Sequence, residues 1–200
     1  MLCAVSIALA NCPRTMAKRP LSRKKRWQVP LMTAALTFYG GWVPVLADAV
    51  QEYTAKSVLA LNLARYSEWP PDVFKDNGSS INLCVLGDDV VQQAFALIDK
   101  KQIGDKTLSV RDIKDDKHLD HCQLLYASED AAGSIRLLEE SQKQHILTIG
   151  ETEDFLAHGG MVYLELTDAR INLHVNISAT QKAGLQISAR VLKLATIFNP

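Results

Sequence analysis

The stretch "SINLCVLGDDVVQQAFALI", Ser80 to Ile98, decides the fold. Its first part is a short apolar run, the pattern of a buried strand. Gly87-Asp88-Asp89 then turns the chain, and Val90, Val91, Ala94, Phe95 and Ile98 recur at helical spacing. A buried strand that feeds a helix in this way belongs to an α/β sheet.

The same alternation continues on both sides. "KTLSVRDI" (106–113) alternates and reads as a half-exposed strand, and "CQLLYAS" (122–128) as a second buried one. A helix follows around Ile135, Leu137 and Leu138, then "HILTIG" (145–150) as a third buried strand and "TEDFLA" (152–157) as a short helix. At "MVYLELTDARINLHVN" (161–176) the period changes to two, which predicts a β-hairpin joined at Thr167–Arg170. "LQISARVLKLATIF" (185–198) carries Leu185, Ile187, Val191, Leu192, Leu194, Ala195 and Phe198, and predicts a closing helix with one broad apolar face. Upstream, from Val50, the residues Leu59, Leu63 and Tyr66 with Ala60 and Ala64 predict a first helix, with Glu52, Lys56 and Arg65 elsewhere on it. The expected architecture is α/β, a single-domain sheet flanked by helices on both faces with an antiparallel hairpin toward one edge. No repeat or low-complexity segment interrupts it, and "KDNGSS" (75–80) is the one linker-like stretch.

The formal net charge is +0, but the charges are segregated. Residues 1–47 hold Arg14, Lys18, Arg19, Arg23, Lys24, Lys25 and Arg26 and no acid, which leaves 15 bases against 22 acids, about −7, in the rest. An acidic body argues against a phosphate-binding face, hence against nucleic acid, and against an anionic membrane surface. The basic cluster is followed by "VPLMTAALTFYGGWVPVLADA", in the order of a secretory signal, with Val45 and Ala47 suited to cleavage between Ala47 and Asp48. Signal peptide 1–47 and domain 48–200 are therefore expected, with Met16 as an alternative start. A nuclear-localisation reading of "RKKR" competes with this, and Pro30, Gly40, Gly41 and Pro44 argue against an uncleaved anchor. Cleavage would remove Cys3 and Cys12 and leave Cys84 and Cys122, which in an exported domain read as a disulfide and in cytosol as two buried thiols.

Catalytic motifs are missing: no Walker A loop, GxGxxG, GxSxG or HExxH occurs. "HLDHC" (118–122) is the nearest approach to a metal cluster, but a disulfide would consume its thiol. "HGGM" (158–161) has the look of an esterase oxyanion loop without a nucleophile elbow, and Gly159-Gly160 reads better as a turn entering a strand, where positive φ is needed. His174 alternates with Asn172 and Asn176 on a face that is either solvated or holds a ligand. Glu151, Glu153 and Asp154 gather at a helix N-terminus, where the dipole favours carboxylates. No cofactor is implied.

Taken together, "KSVLALNLARYSEWP", "INLCVLGDD", "HCQLLYAS", "ILTIGETEDFLAHGGMVYLEL" and "INLHVNISATQKAGLQISARVLKLA" resemble, in that order, the YfiR-like proteins, over roughly Val50 to Phe198. The resemblance implies an exported bacterial α/β sandwich that tends to dimerise and acts without catalysis. It implies a periplasmic regulator that restrains a membrane-bound diguanylate cyclase, lowering cyclic-di-GMP until an outer-membrane lipoprotein sequesters it. The family's paired cysteines fall on Cys84 and Cys122, its Trp-Pro on Trp69 and Pro70, and its helix asparagine on Asn62. Its glycine pair falls on Gly159 and Gly160 and its late strand asparagine on Asn176. Gln123 stands where a histidine often follows the second cysteine, and a further cysteine pair is absent. Trp69 is expected to end the first helix, because Pro70 disfavours helical geometry before it, and to fold its indole back with the N–H at a wet edge, as an anchor or a partner contact. The rivals are a small-ligand sensor with a pocket near Asn172, His174 and Asn176, and an unrecognised hydrolase.

Overall fold

The computed structural model describes residues 45–75, 78–115, 119–129 and 135–199. The basic cluster, the segment that follows it, Met16 and His118 lie outside the described residues. The first helix, α1, spans Val45–Arg65, with Asp48 in its first turn and Arg65 in its last, each sign complementing the helix dipole. The expected cleavage bond between Ala47 and Asp48 lies in that first turn.

The helix ends four residues earlier than expected. Tyr66 closes the last turn on Asn62 O, and Ser67–Glu68 then run extended as β1, antiparallel to β9 (Gln186–Ile187). Strand pairing, with Ser188 N donating to Tyr66 O at 2.8 Å, stops the helix before Pro70 can. Pro70 instead leads into a single 3-10 turn, Pro71–Phe74.

The strand–turn–helix unit of residues 80–96 lies at the centre of the sheet. β2 (Ser80–Leu86) is flanked by two parallel neighbours, β4 (Lys106–Ile113) and β5 (Leu124–Ala127). Asp88 caps α2 (Asp89–Ala96), its Oδ1 accepting from Val90 N and Val91 N at 3.0 Å. After α3 (Ile135–Lys143), β6 (Leu147–Gly150) adds beside β5; after α4 (Glu153–Ala157), β7 (Val162–Thr167) adds beside β6. The parallel strands run β4-β2-β5-β6-β7 across the sheet, a doubly wound order. Antiparallel pieces extend both ends: β3 (Gln102–Ile103) on β4, and β8 (Arg170–Asn176) on β7.

One face of the sheet packs Leu83, Val85, Leu124, Tyr126, Leu147 and Ile149 under α1 and α2. The other packs Cys84 and Leu125 under α3, with Ala127 against Leu138 and Phe155. The fold is thus α/β with helices on both faces and the hairpin toward one edge. Its hairpin turn places Asp168 (φ 52°) and Ala169 (φ 57°) both in the left-handed region, the two-residue geometry that matches strand twist.

The closing segment corrects its expected helix. It divides into β9, a four-residue helix α6 (Ala189–Leu192) capped by Ser188, and β10 (Thr196–Phe198), which lies parallel to β8 as the edge strand. Thr196-Ile197-Phe198 suits a strand, and β8 offers it a free ladder. Leu185 and Val191 are buried by different elements while Leu194 is 84% exposed, so no single apolar face exists. Before it, Asn176 caps a short helix, α5 (Ile177–Lys182), where the sequence pattern carries no helix signal.

Candidate functional site

Cys84 and Cys122 form a disulfide, with Cα atoms 5.8 Å apart across 38 residues. Both are buried among Ile113, Leu119, Leu125, Leu137 and Ile146. Beside it, Gln123 ties three elements together. Its Oε1 accepts from Asn82 N (2.8 Å), its N donates to Asn82 O (2.9 Å), and its carbonyl accepts from Trp69 Nε1 (3.2 Å). The Trp69 indole therefore meets a backbone oxygen rather than water, and packs edge-on to Phe74 at 6.0 Å. Pro70 lies over Gly184, whose φ of +70° needs no side chain.

Gly159 has φ +97° and its carbonyl accepts from Gln142 Nε2 at 2.9 Å. Gly160 is required for a different reason: a Cβ there would stand 2.2 Å from the Phe155 ring and 2.6 Å from Phe155 O. Asn176 is buried; its Oδ1 accepts from Ala179 N (3.0 Å) and its Nδ2 donates to Leu156 O (3.3 Å).

Asn172, His174 and Asn176 do not converge. Asn172 Nδ2 (3.3 Å) and His174 Nε2 (3.0 Å) both reach Glu165 Oε2, and the His174 ring stacks on Tyr163 with centroids 5.0 Å apart. Those hydrogen bonds, His174 first, hold the Glu165 carboxyl below its usual range.

The largest departure from expectation is Lys56, which is buried rather than on an outer face. Its Nζ meets Glu151 Oε1 at 2.7 Å and Glu52, and lies 5.0 Å from the centre of the Tyr53 ring. Tyr126 donates its hydroxyl to Glu151 Oε1, and Glu129 N donates to Oε2 at 3.0 Å. Glu151 is thus turned inward, while Thr152 caps α4 and Glu153 and Asp154 stay in its first turn. Burial, and then the adjacent Glu151 carboxylate, push the Tyr126 phenol far above its ordinary value. Lys56 is locked by two carboxylates, which leaves it no role as a free nucleophile. The burial of Lys56 carries no sequence signal, since its partner is 95 residues away.

The histidine ring nitrogens that are hydrogen-bonded meet oxygens: His145 Nδ1 with Ala183 O (2.7 Å), His158 Nδ1 with Asp154 O (2.8 Å), and His174 Nε2 with Glu165 (3.0 Å). Among the described residues, no group of three or more His, Cys, Asp or Glu is placed to hold a metal. Nor, among them, is any helix long and apolar enough to cross a membrane.

Two apolar hollows lie side by side along α1. One, of about 320 Å³, is bounded by Asn62, Tyr66, Leu173, Arg190 and Leu194; the other, a wider groove, by Val50, Val58, Ala169 and Ile171; Leu59 borders both. Asn62, one of the family-matched positions, faces the first.

The fold and these surfaces define a class: a disulfide-bridged, doubly wound α/β domain whose marked residues brace the structure and whose two hollows along α1 are apolar. Within that class the chain belongs to the YfiR/HmsC-like family, whose model matches residues 53–196. Membership supports a periplasmic regulatory role in cyclic-di-GMP signalling in general, in a family not known as catalytic. No curated protein matches. Among solved structures, a conserved domain protein from Vibrio cholerae O1 biovar El Tor is similar at 11% identity, with TM-score 0.46 over 72% of this chain and 60% of that one. The ABC domain in complex with L-Trp from Streptococcus pneumonia is similar at 10% identity, with TM-score 0.43 over 62% and 56%. The chain thus spans about 60% or less of the length of either.

Proposed function

We propose that this chain is a non-enzymatic periplasmic protein that binds and restrains a membrane-bound diguanylate cyclase. Membership of the YfiR/HmsC-like family carries the reading. The apolar surface along α1 supports it, since contiguous exposed apolar surface of this kind serves association. Residues 1–47 act as the export signal, cut between Ala47 and Asp48, and the domain 48–200 is the working protein. An outer-membrane lipoprotein is its second partner, sequestering it and releasing the cyclase, and the regulator works as a homodimer. The acidic body leaves nucleic acid out of its partners. Restraint across a membrane needs only a difference in affinity for two states of the cyclase; a hundredfold difference is about 2.7 kcal/mol.

Deleting the gene tests this. Cyclic-di-GMP and surface attachment should rise, and should return to their starting level with the full chain but not with one lacking residues 1–47. Unchanged cyclic-di-GMP in the deletion strain would refute restraint. One observation favours the ligand-sensor reading: the hollow of about 320 Å³ is large enough for a small metabolite. A ligand there would tune affinity for the partner.

A further inference from the structure

The two hollows along α1 are parts of one channel. Leu59 borders both, and their opposite wall is one face of β8, where Ile171 serves the outer groove and Leu173, two residues on, the deeper hollow of about 320 Å³. Asn172 and His174 belong to the other face of that strand, so the channel is not the pocket expected from those residues. No charged side chain lines the outer groove, and Val50 (48% exposed) and Val58 (46%) stand open to water there. The deeper hollow is walled by Leu63, Leu173, Val191 and Leu194, and is bordered by three polar groups: the Asn62 amide, the Tyr66 hydroxyl and the Arg190 guanidinium. Among the described residues, none of these three side chains has a hydrogen-bond or ion-pair partner. A mostly apolar cavity with a few unsatisfied donors is built for an amphipathic molecule.

We propose that the channel binds a long-chain fatty carboxylate, its head on Arg190 and its acyl chain laid along α1 past Leu59 toward Val50. This deepens the ligand-sensor reading above, on which it rests, by naming the ligand's class. The planar fork of a guanidinium matches the two oxygens of a carboxylate, and Asn62 and Tyr66 hold further donors for the same head. Arg190 is the one charged side chain lining either hollow, and it balances one negative charge. A phosphate dianion would meet that single cation on a body of about −7. Length selects the tail. From Asn62 back to Val50 the helix rises about 18 Å, at 1.5 Å per residue. An extended acyl chain with bonds of about 1.5 Å advances about 1.25 Å per carbon, so about fourteen carbons fill the channel. The lining residues drift around α1 as it rises, and a flexible chain follows that drift.

Displacement of a fluorescent polyene fatty acid from protein recovered from the periplasm tests this, with octanoate, tetradecanoate and octadecanoate as competitors. Affinity should climb about twofold per carbon up to tetradecanoate and then level off, the open walls giving less than the roughly fourfold of a fully buried methylene. Arg190→Gln should weaken tetradecanoate by about tenfold or more, the loss of a charge-assisted hydrogen bond, and leave the uncharged tetradecanol unchanged. Val50→Asp should weaken tetradecanoate but not octanoate, whose chain stops short of it. Both side chains are exposed, so circular dichroism should not change. Equal binding of acid and alcohol, or an Arg190→Gln variant that binds tetradecanoate as the parent does, would overturn the proposal. Retention on phosphatidylglycerol vesicles without displacement of the probe would assign the channel to a membrane surface and overturn it as well. So would a parent that binds no tetradecanoate. Leu194→Trp, which fills the deeper hollow, then separates the two readings: a changed cyclic-di-GMP level in cells would keep the sensor, and an unchanged level would remove it too.

Discussion

The Lys56 ammonium lies 2.7 Å from a carboxylate oxygen of Glu151, and both side chains are at least 95% buried. This pair fixes the first helix to the end of β6, and Tyr126 and Glu129 N satisfy the remaining demands of the carboxylate. Breaking such a pair from one side strands a buried charge, which costs about 3–5 kcal/mol. Lys56→Met, which strands Glu151, should therefore destabilise the domain strongly, and Glu151→Gln less, because Glu52 still pairs with Lys56. Lys56→Met with Glu151→Gln should recover much of the loss, because neither charge is then left alone. Guanidinium unfolding of the two single variants and the double variant measures the coupling.

The disulfide closes a 38-residue loop, worth about 4 kcal/mol in the chain-entropy account. Cys84→Ser and Cys122→Ser should each lower the yield of exported protein sharply and to a similar extent. Thiol labelling of exported protein should find neither cysteine free, folded or denatured, until reductant is added.

Gly160→Ala would force a methyl group into the Phe155 ring and against its carbonyl oxygen. Overpacking of this kind costs roughly 1–3 kcal/mol. Because Phe155 O is also in the way, Phe155→Leu should relieve the clash only in part. Urea midpoints of the single and double variants check this.

Ala169 holds a left-handed conformation that glycine adopts at no steric cost. Ala169→Gly should raise stability by about 1 kcal/mol, the Asp-Gly pair being a favoured two-residue hairpin turn. Thermal unfolding should show a higher midpoint, and a lower one would mean that the turn gains nothing from glycine.

The central strands were legible because strands buried on both faces have to be apolar throughout, as in Leu83-Cys84-Val85 and Leu124-Leu125-Tyr126. The hairpin was legible because the face carrying Tyr163, Glu165, Asn172 and His174 is polar and the opposite one is not. The C-terminal segment misleads because Ile187, Val191 and Phe198 belong to three different elements and their spacing only mimics one helix. Lys56 could not be read at all: a charge is buried where a distant carboxylate can meet it, and local pattern holds no trace of Glu151. Trp69-Pro70 marks a boundary in the sequence, but pairing between β1 and β9, over a hundred residues apart, ends the helix first.

Removal of residues 1–47 is tested by N-terminal sequencing of periplasmic protein. The mature chain should begin at Asp48, and a periplasmic chain still carrying "RKKR" would contradict export by cleavage.

The most direct test of restraint is cyclic-di-GMP in a double deletion. Loss of this chain alone should raise it, and loss of the chain together with the membrane cyclase it binds should return it to the level of the cyclase deletion alone. A rise that persists without the cyclase would contradict the account.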